Sequence, residues 1–212
     1  MAPQSVARPF SETAAQTPAS EFEGRRPVQD LAAFRVPARF RGRPAWFVQL
    51  WWVVHATLFR WSPQILFGWR RFLVRLFGGT VGKGVLIRPT ANITYPWKVS
   101  IGNFSWIGDD VTLYSLGEIQ IGHSVVISQQ SYLCTGSHDM ESSAFEITER
   151  SIVIEDEVWL ATDVFVGPGV RIGHGAVVGV RSTVLHDLQP MLVYVGNPAK
   201  PIRPRLTHEK LA

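Results

Sequence analysis

The stretch IEDEVWLATDVFVGPGVRIGHGAVVGVRSTV, residues 154–184, decides the fold. Read in steps of six, it puts Ile154, Leu160, Val166, Ile172, Val178 and Val184 at one recurring position. A compact residue stands four places after each of the first five: Val158, Val164, Val170, Ala176 and Ser182. Glycine follows directly at Gly167, Gly173 and Gly179. Upstream the same rhythm runs through Val81, Ile87 and Ile93, then Ile101, Ile107 and Leu113, then Ile121, Ile127 and Leu133. The compact position there falls at 85, 91, 105, 111, 125, 131 and 137. The upstream series needs steps of eight after Ile93 and Leu113, and of 21 after Leu133; residues 154–184 need none.

Such a repeat closes three short strands into a triangular coil, and like positions stack on the next coil. The aliphatic side chain points inward, the crowded place four residues later takes a compact one, and glycine relieves backbone crowding at the corner. Ile154 is expected to stack on Ile172, Leu160 on Val178 and Val166 on Val184. Burying each aliphatic side chain contributes roughly 1.5–3 kcal/mol, so this ladder supplies most of the favourable term. An ordinary sandwich, with strands every 8–12 residues or about that, leaves the fixed step unexplained. The expected class is all-β, a parallel β-helix of about five coils over residues 80–190, with residues 135–151 leaving it as a loop. The period itself does not set the hand.

The flanks differ from this body. Residues 1–45 are rich in Pro, Arg, Ala and Ser with few large apolar groups, and read as a flexible arm. Residues 46–79 hold five of the eight tryptophans. Ser62-Pro63 divides them into two expected helices, because proline disfavours helix at the residue before it. In the second, Ile65, Trp69, Phe72 and Leu76 form an apolar stripe joined by Leu66, Leu73 and Phe77, with Arg70, Arg71 and Arg75 mainly off it. Two compatible roles stand open for 46–77: capping the exposed first coil, or peripheral contact with an anionic membrane. The run Trp46 to Phe59 already contains Gln49 and His55 and then meets Arg60, too short to span a bilayer. Residues 191–212 form an exit segment.

The chain has 212 residues, one cysteine and a formal charge of +4. One cysteine excludes a disulfide framework and a Cys-based zinc site. With no secretory signal visible, the expected location is cytoplasmic, with the inner face of the membrane as a peripheral option. Residues 1–77 carry 11 Arg against 4 acids, or +7; residues 78–212 carry 10 Lys and Arg against 13 acids, or −3. The basic excess lies in a Pro-rich arm without a recognition motif, so nucleic acid is not indicated.

Three stretches carry a closer likeness: Ile107-Gly108-Asp109-Asp110-Val111-Thr112-Leu113-Tyr114-Ser115, Leu133-Cys134-Thr135-Gly136-Ser137-His138-Asp139 and Gly196-Asn197-Pro198-Ala199-Lys200-Pro201. With the hexads and the Trp-rich segment, they resemble the hexapeptide-repeat acyltransferases of left-handed β-helix fold. Within these the likeness is to the colanic acid biosynthesis acetyltransferases, near the maltose and nodulation-factor O-acetyltransferases. It covers about residues 46–205. It implies a homotrimer and acetyl-CoA as co-substrate, with no metal.

His138 lies where the period skips, and a prism has no cleft of its own, so chemistry must come from a loop or a subunit junction. Acetyl transfer from a thioester to an alcohol needs a base for the hydroxyl proton, a task that suits imidazole. The resemblance assigns that role to His138. Asp139 is a candidate orienter, although a backbone carbonyl would serve equally. Cys134 invites an acyl-enzyme reading, but it follows an inward leucine and the resemblance needs no nucleophile. His123, His138, His174 and His186 lack the five-residue pair of the γ-class carbonic anhydrases, so metal binding is not expected.

By resemblance, acetyl-CoA lies along a groove between late coils, with Trp159, Ala161, Thr162, Gly179, Val180 and Arg181 as its lining. Lys200 and Arg203 then meet its phosphates, with Arg205 behind them. Relatives often carry Gly where Ala161 stands and Lys where His186 stands. Trp106, Asp110 and Tyr114, with Asp139, are the candidate contacts to a sugar acceptor. The function expected is O-acetylation of a sugar hydroxyl in exopolysaccharide biosynthesis. N-acylation of an amino sugar and a non-catalytic trimeric scaffold are the alternatives.

Overall fold

The computed structural model describes residues 27–37 and 40–206. The rest of the arm, 1–26 and 38–39, and the end of the exit segment, 207–212, lie outside the described residues. From Thr80 the chain winds through five complete coils and begins a sixth. The first coil holds β1 (Thr80–Val81), β2 (Leu86–Ile87) and β3 (Asn92–Ile93); the second holds β4 (Val99–Ile101), β5 (Trp106–Ile107) and β6 (Thr112–Tyr114). The third holds β7 (Ile119–Ile121), β8 (Val126–Ile127) and β9 (Tyr132–Cys134), after which β10 (Gly136–His138) and β11 (Ile147–Glu149) leave as an antiparallel ribbon. Coil four is β12 (Ile152–Ile154), β13 (Trp159–Leu160) and β14 (Phe165–Val166); coil five is β15 (Arg171–Ile172), β16 (Val177–Val178) and β17 (Thr183–Val184). The last turn supplies β18 (Leu192–Val195), and β19 (Lys200–Pro204) folds back antiparallel upon it.

Stacking turns the strands into three parallel faces. The first is β1-β4-β7-β12-β15, the second runs from β2 through β5, β8, β13 and β16 to β18 and β19, and the third is β3-β6-β9-β14-β17. The expected partners meet in register: Ile154 with Ile172, Leu160 with Val178, Val166 with Val184. All fifteen ladder residues are at most 6% exposed. The compact position is equally buried, and where it is serine the hydroxyl is used. Ser105 Oγ donates to the Gly122 carbonyl (2.7 Å) and Ser131 Oγ to that of Ala161 (3.0 Å). Ser137, counted in that series, belongs instead to the ribbon and is exposed, because the chain leaves the prism at Thr135.

The glycine after each aliphatic residue is explained by closeness of coils rather than by backbone twist. A Cβ on Gly102 would lie 2.4 Å from the Gly122 carbonyl carbon. The left-handed residue of each corner comes two places later and is often not glycine, as at Asp110 (φ 56°), Asp163 (φ 60°) and Arg181 (φ 56°).

Within a parallel prism, N–H groups of one coil donate to carbonyls of the next: Gly82 to Ile101 (2.8 Å), Gly102 to Ile121 (2.7 Å), Gly122 to Ile154 (2.8 Å). The first coil is therefore left with carbonyls facing an open end. The helical segment answers them one by one. It comprises α1 (Ala45–Val54), a π-turn (His55–Phe59) and α2 (Phe67–Leu76). Arg75 Nε donates to the Val81 carbonyl (2.9 Å), Arg71 to that of Val85 (2.7 Å) and Arg70 Nε to that of Ile87 (2.6 Å). His55 Nε2 donates to Ala91 O (3.0 Å) and Trp51 Nε1 to Ile93 O (2.8 Å). Trp51, Phe59, Leu73, Val74 and Phe77 join the prism core beneath them.

The cap thus follows only part of the apolar stripe of α2: Leu73 and Phe77 go inward, but an arginine goes in beside them. Arg70 is fully buried, whereas Ile65, Trp69, Phe72 and Leu76 are 82%, 37%, 50% and 61% exposed. The reason is the polar rim of the open coil, which takes guanidinium groups and leaves the rest of the stripe outside.

Candidate active site

The ribbon that carries His138 is anchored where it leaves the prism. Buried Thr135 donates its hydroxyl to the Tyr114 carbonyl (2.7 Å) and accepts from Gly117 N–H (2.8 Å). Gly136 passes so close to Leu116 that a Cβ would lie 2.6 Å from Leu116 Cδ1. β10 and β11 then pair Gly136 with Glu149, Ser137 with Thr148 and His138 with Ile147.

His138 is half-buried at the end of this ribbon. Its Nδ1 lies 2.8 Å from the Phe145 carbonyl. A carbonyl only accepts, so Nδ1 carries the proton and the Nε2 lone pair is left to act as a base. The Phe145 ring stacks on the imidazole at 4.1 Å and 6°, and Phe34 approaches at 6.0 Å. Asp139 does not orient it: its carboxylate accepts from Glu141 N–H (2.9 Å) and the residue is exposed. The orienting group is the Phe145 carbonyl, which no side-chain motif announces.

Phe34 was not legible as a neighbour of the site. It belongs to the segment read as flexible, of which residues 27–37 and 40–45 are described and meet the body at Asp30, Phe34, Phe40 and Arg41. Asp30 N–H donates to the Ser143 carbonyl (2.6 Å), Trp97 Nε1 to that of Arg41 (2.7 Å), and Lys98 Nζ to that of Phe40 (2.9 Å). Backbone carbonyls and amides hold this strap, so its composition gave no sign of the contact.

The other predicted residues divide. Tyr114 is on the third face beside the ribbon, its ring 6.0 Å from Tyr132, which stacks on Phe165 at 6.1 Å. Trp106 is on the second face, 54% exposed, beside a groove of about 340 Å³ shared with Phe67, Arg88 and Gln129. Asp110 sits at the corner between those faces, its N–H bonded to Thr90 Oγ1 (2.9 Å). A single chain therefore brings Tyr114 to the ribbon and leaves Trp106 on another face, with Asp110 at the corner between the two. Cys134 points its thiol at the Gly136 carbonyl (3.2 Å), and burial pushes the thiol up, away from thiolate chemistry.

Five of the residues expected for acetyl-CoA share one corner of the late coils. Arg181 N–H donates to Thr162 O (2.9 Å), Ala161 N–H to Val178 O (2.9 Å) and Gly179 N–H to Tyr194 O (2.8 Å). Ala161-Thr162, Gly179-Val180-Arg181 and the Gly196–Ala199 turn thereby form successive rungs. Trp159, 46% exposed on the adjoining face, donates Nε1 to Ser128 Oγ (3.1 Å). Arg203 and Lys200 lie across β18 from Val193 and Val195, at the edge of that face. Small side chains flanked by Arg181, Lys200 and Arg203 suit an extended polyanionic ligand. Among the described residues no group of three or more His, Cys, Asp or Glu could hold a metal ion. His123 Nδ1 accepts from Asn103 N–H (2.8 Å) as part of a corner.

No family model matches the chain. It is 59% identical over 182 residues, 86% of this chain and 100% of the relative, to the colanic acid biosynthesis acetyltransferase WcaF of Escherichia coli K12. A hexapeptide-repeat acetyltransferase of Vibrio cholerae, solved with acetyl-coenzyme A, superposes with a TM-score of 0.69 at 26% identity, covering 79% of this chain and 88% of that one. A galactoside acetyltransferase solved with coenzyme A gives 0.73 at 21%, covering 92% and 94%, which is a likeness of fold.

Proposed function

The chain belongs to the hexapeptide-repeat acetyltransferases, acetyl-CoA-dependent enzymes of left-handed β-helix fold, and from that premise we propose that it acetylates a sugar hydroxyl of an exopolysaccharide precursor with His138 as the general base. The observation that carries the reading is the Nδ1 contact to Phe145 O, which leaves Nε2 free to accept a proton. Nε2 removes the acceptor hydroxyl proton as that oxygen attacks the thioester carbonyl carbon. The tetrahedral intermediate collapses with cleavage of the C–S bond, and the imidazolium returns its proton to the departing thiolate. Backbone N–H groups stabilise the oxyanion.

The late-coil corner of Ala161, Thr162, Gly179, Val180 and Arg181 holds the donor beside Trp159, with Lys200 and Arg203 on its phosphates. Trp106, Asp110 and Tyr114 contact the acceptor. Because Trp106 and Trp159 lie on another face of one chain than Tyr114 and the ribbon, the reading includes a homotrimer whose subunit junctions bring such faces together. The 59% identity to a protein of colanic acid biosynthesis supports a polysaccharide precursor as acceptor.

His138→Ala, assayed with acetyl-CoA and candidate sugars, is expected to lower kcat about 10²–10⁴-fold without changing acetyl-CoA affinity. Unchanged turnover would overturn the assignment. Mass spectrometry of the product distinguishes an ester from an amide.

A further inference from the structure

The outward face of the cap is apolar beyond what capping uses. Every inward polar group of α2 is engaged with the first coil, yet Leu58, Trp61, Ile65, Phe72 and Leu76 are 53%, 83%, 82%, 50% and 61% exposed. Trp69 ties them into one surface, stacking on Phe72 at 5.7 Å and donating Nε1 to Leu58 O (2.9 Å). Trp46, Leu50 and Val53 continue it along α1, at 68%, 45% and 60% exposure. Contiguous exposed apolar area of this kind marks an interaction surface.

Its charge selects the occupant. From Leu31 to Gly108 the sequence has no Asp or Glu; of its cations Arg70, Arg71, Arg75 and Lys98 turn inward to carbonyls, while Arg43 and Arg60 are exposed. Arg60 stands exposed next to Trp61 with no carboxylate partner among the described residues. Two copies facing each other here would offer Arg60 no carboxylate, whereas anionic headgroups neutralise it while acyl chains take the aromatic and aliphatic side chains. No helix of the described residues is long and apolar enough to cross a membrane, so the geometry fits a helix pair lying in the interface.

We propose that the outer face of α1 and α2, centred on Trp61, Ile65, Phe72 and Leu76, docks the protein on an anionic lipid bilayer. The prism then stands off the membrane by its cap. Docking is independent of the acetyl-transfer reading, because it is measured without substrate.

The test is flotation of the full-length protein with vesicles of phosphatidylcholine alone and of phosphatidylcholine mixed with phosphatidylglycerol. The wild type is expected to float with the mixed vesicles, and less so as salt is raised. Joint substitution of Trp61, Ile65, Phe72 and Leu76 by Ser is expected to reduce partitioning at least about tenfold, and Arg60→Glu to weaken it selectively on the anionic vesicles. These residues are exposed, so melting temperature and acetyl transfer to a soluble acceptor should stay at wild-type values. A wild type that stays with the soluble fraction in both lipids overturns the proposal. So does a Ser variant that floats normally, or one that only lowers the oligomeric mass, which would make this face an interface between copies.

Discussion

At the scale of residues, the site is an imidazole held between a carbonyl and two phenyl rings. The Thr-Gly-Ser-His-Asp stretch made His138 legible, since a loop interrupting a strict period is where chemistry can be added to a prism. What fixes its tautomer was not legible, because Phe145 O is a backbone atom supplied by the turn that closes the ribbon. Nor was Phe34, whose approach at 6.0 Å depends on how the strap lies. On the proposed reading, such an aromatic wall is expected to limit motion of the imidazole and to meet the acceptor. Phe34→Ala is expected to lower kcat/KM for the acceptor about two- to tenfold while leaving the KM for acetyl-CoA unchanged. An equal loss for both substrates, or none, would remove Phe34 from the acceptor side. Steady-state kinetics with each substrate varied in turn decides it.

Among elements, the cap carries most of the physics that composition alone concealed. Periodicity identified α2 correctly as a helix, but the side that the open coil took presents Leu73, Val74 and Phe77 together with arginine. Arg70 shows why. Its guanidinium reaches Ile87 O, Ser62 Oγ, Pro63 O (3.0 Å) and Gln64 O (2.6 Å) from a fully buried position. Arg70→Met keeps the volume and strands those acceptors, so thermal or urea unfolding should show a loss of about 2–4 kcal/mol. An unchanged midpoint would mean that water replaces the guanidinium at little cost. His55 makes the same cap pH-dependent. Burial holds its imidazole below the ordinary range, so the folded cap keeps it neutral. As pH falls through about 6.5, the unfolded chain takes up a proton before the folded one does. Stability is therefore full above that pH and declines below it, until the folded state is protonated too. The slope in that window is at most about 1.4 kcal/mol per pH unit. His55→Gln retains a donor for Ala91 O and should flatten the curve of melting temperature against pH; a curve parallel to the wild type would assign the decline to other groups.

On the scale of the whole molecule, the prism was legible almost completely and its connections to the strap hardly at all. Fifteen ladder residues repeat a side-chain choice that the interior imposes, so Ile154 and Ile172 announce their own pairing. By contrast, the strap is joined to the ribbon that carries His138 through Lys98, an ordinary surface lysine in sequence. Its ammonium donates to Phe40 O (2.9 Å) on the strap, to Leu116 O on the prism and to Glu149 Oε2 (3.0 Å) on β11. Three donors meet three acceptors from three parts of the chain, and the Lys98 side chain is only 14% exposed. The strap reaches the ribbon again where Asp30 N–H meets Ser143 O and where Phe34 meets His138. Strap and ribbon therefore form one connected body on the side of the prism that bears His138. Lys98→Met removes the shared node without touching His138. Hydrogen exchange across residues 136–149 should accelerate, and kcat should fall between a few-fold and about a hundredfold, because a base displaced by a fraction of an ångström loses much of its alignment. Acetyl-CoA affinity should hold, since the late-coil corner has no contact with Lys98. If exchange accelerates while kcat stays at the wild-type value, the ribbon tolerates motion and the strap serves stability alone; if neither changes, Phe40 and Glu149 are held by their other neighbours and the node is dispensable.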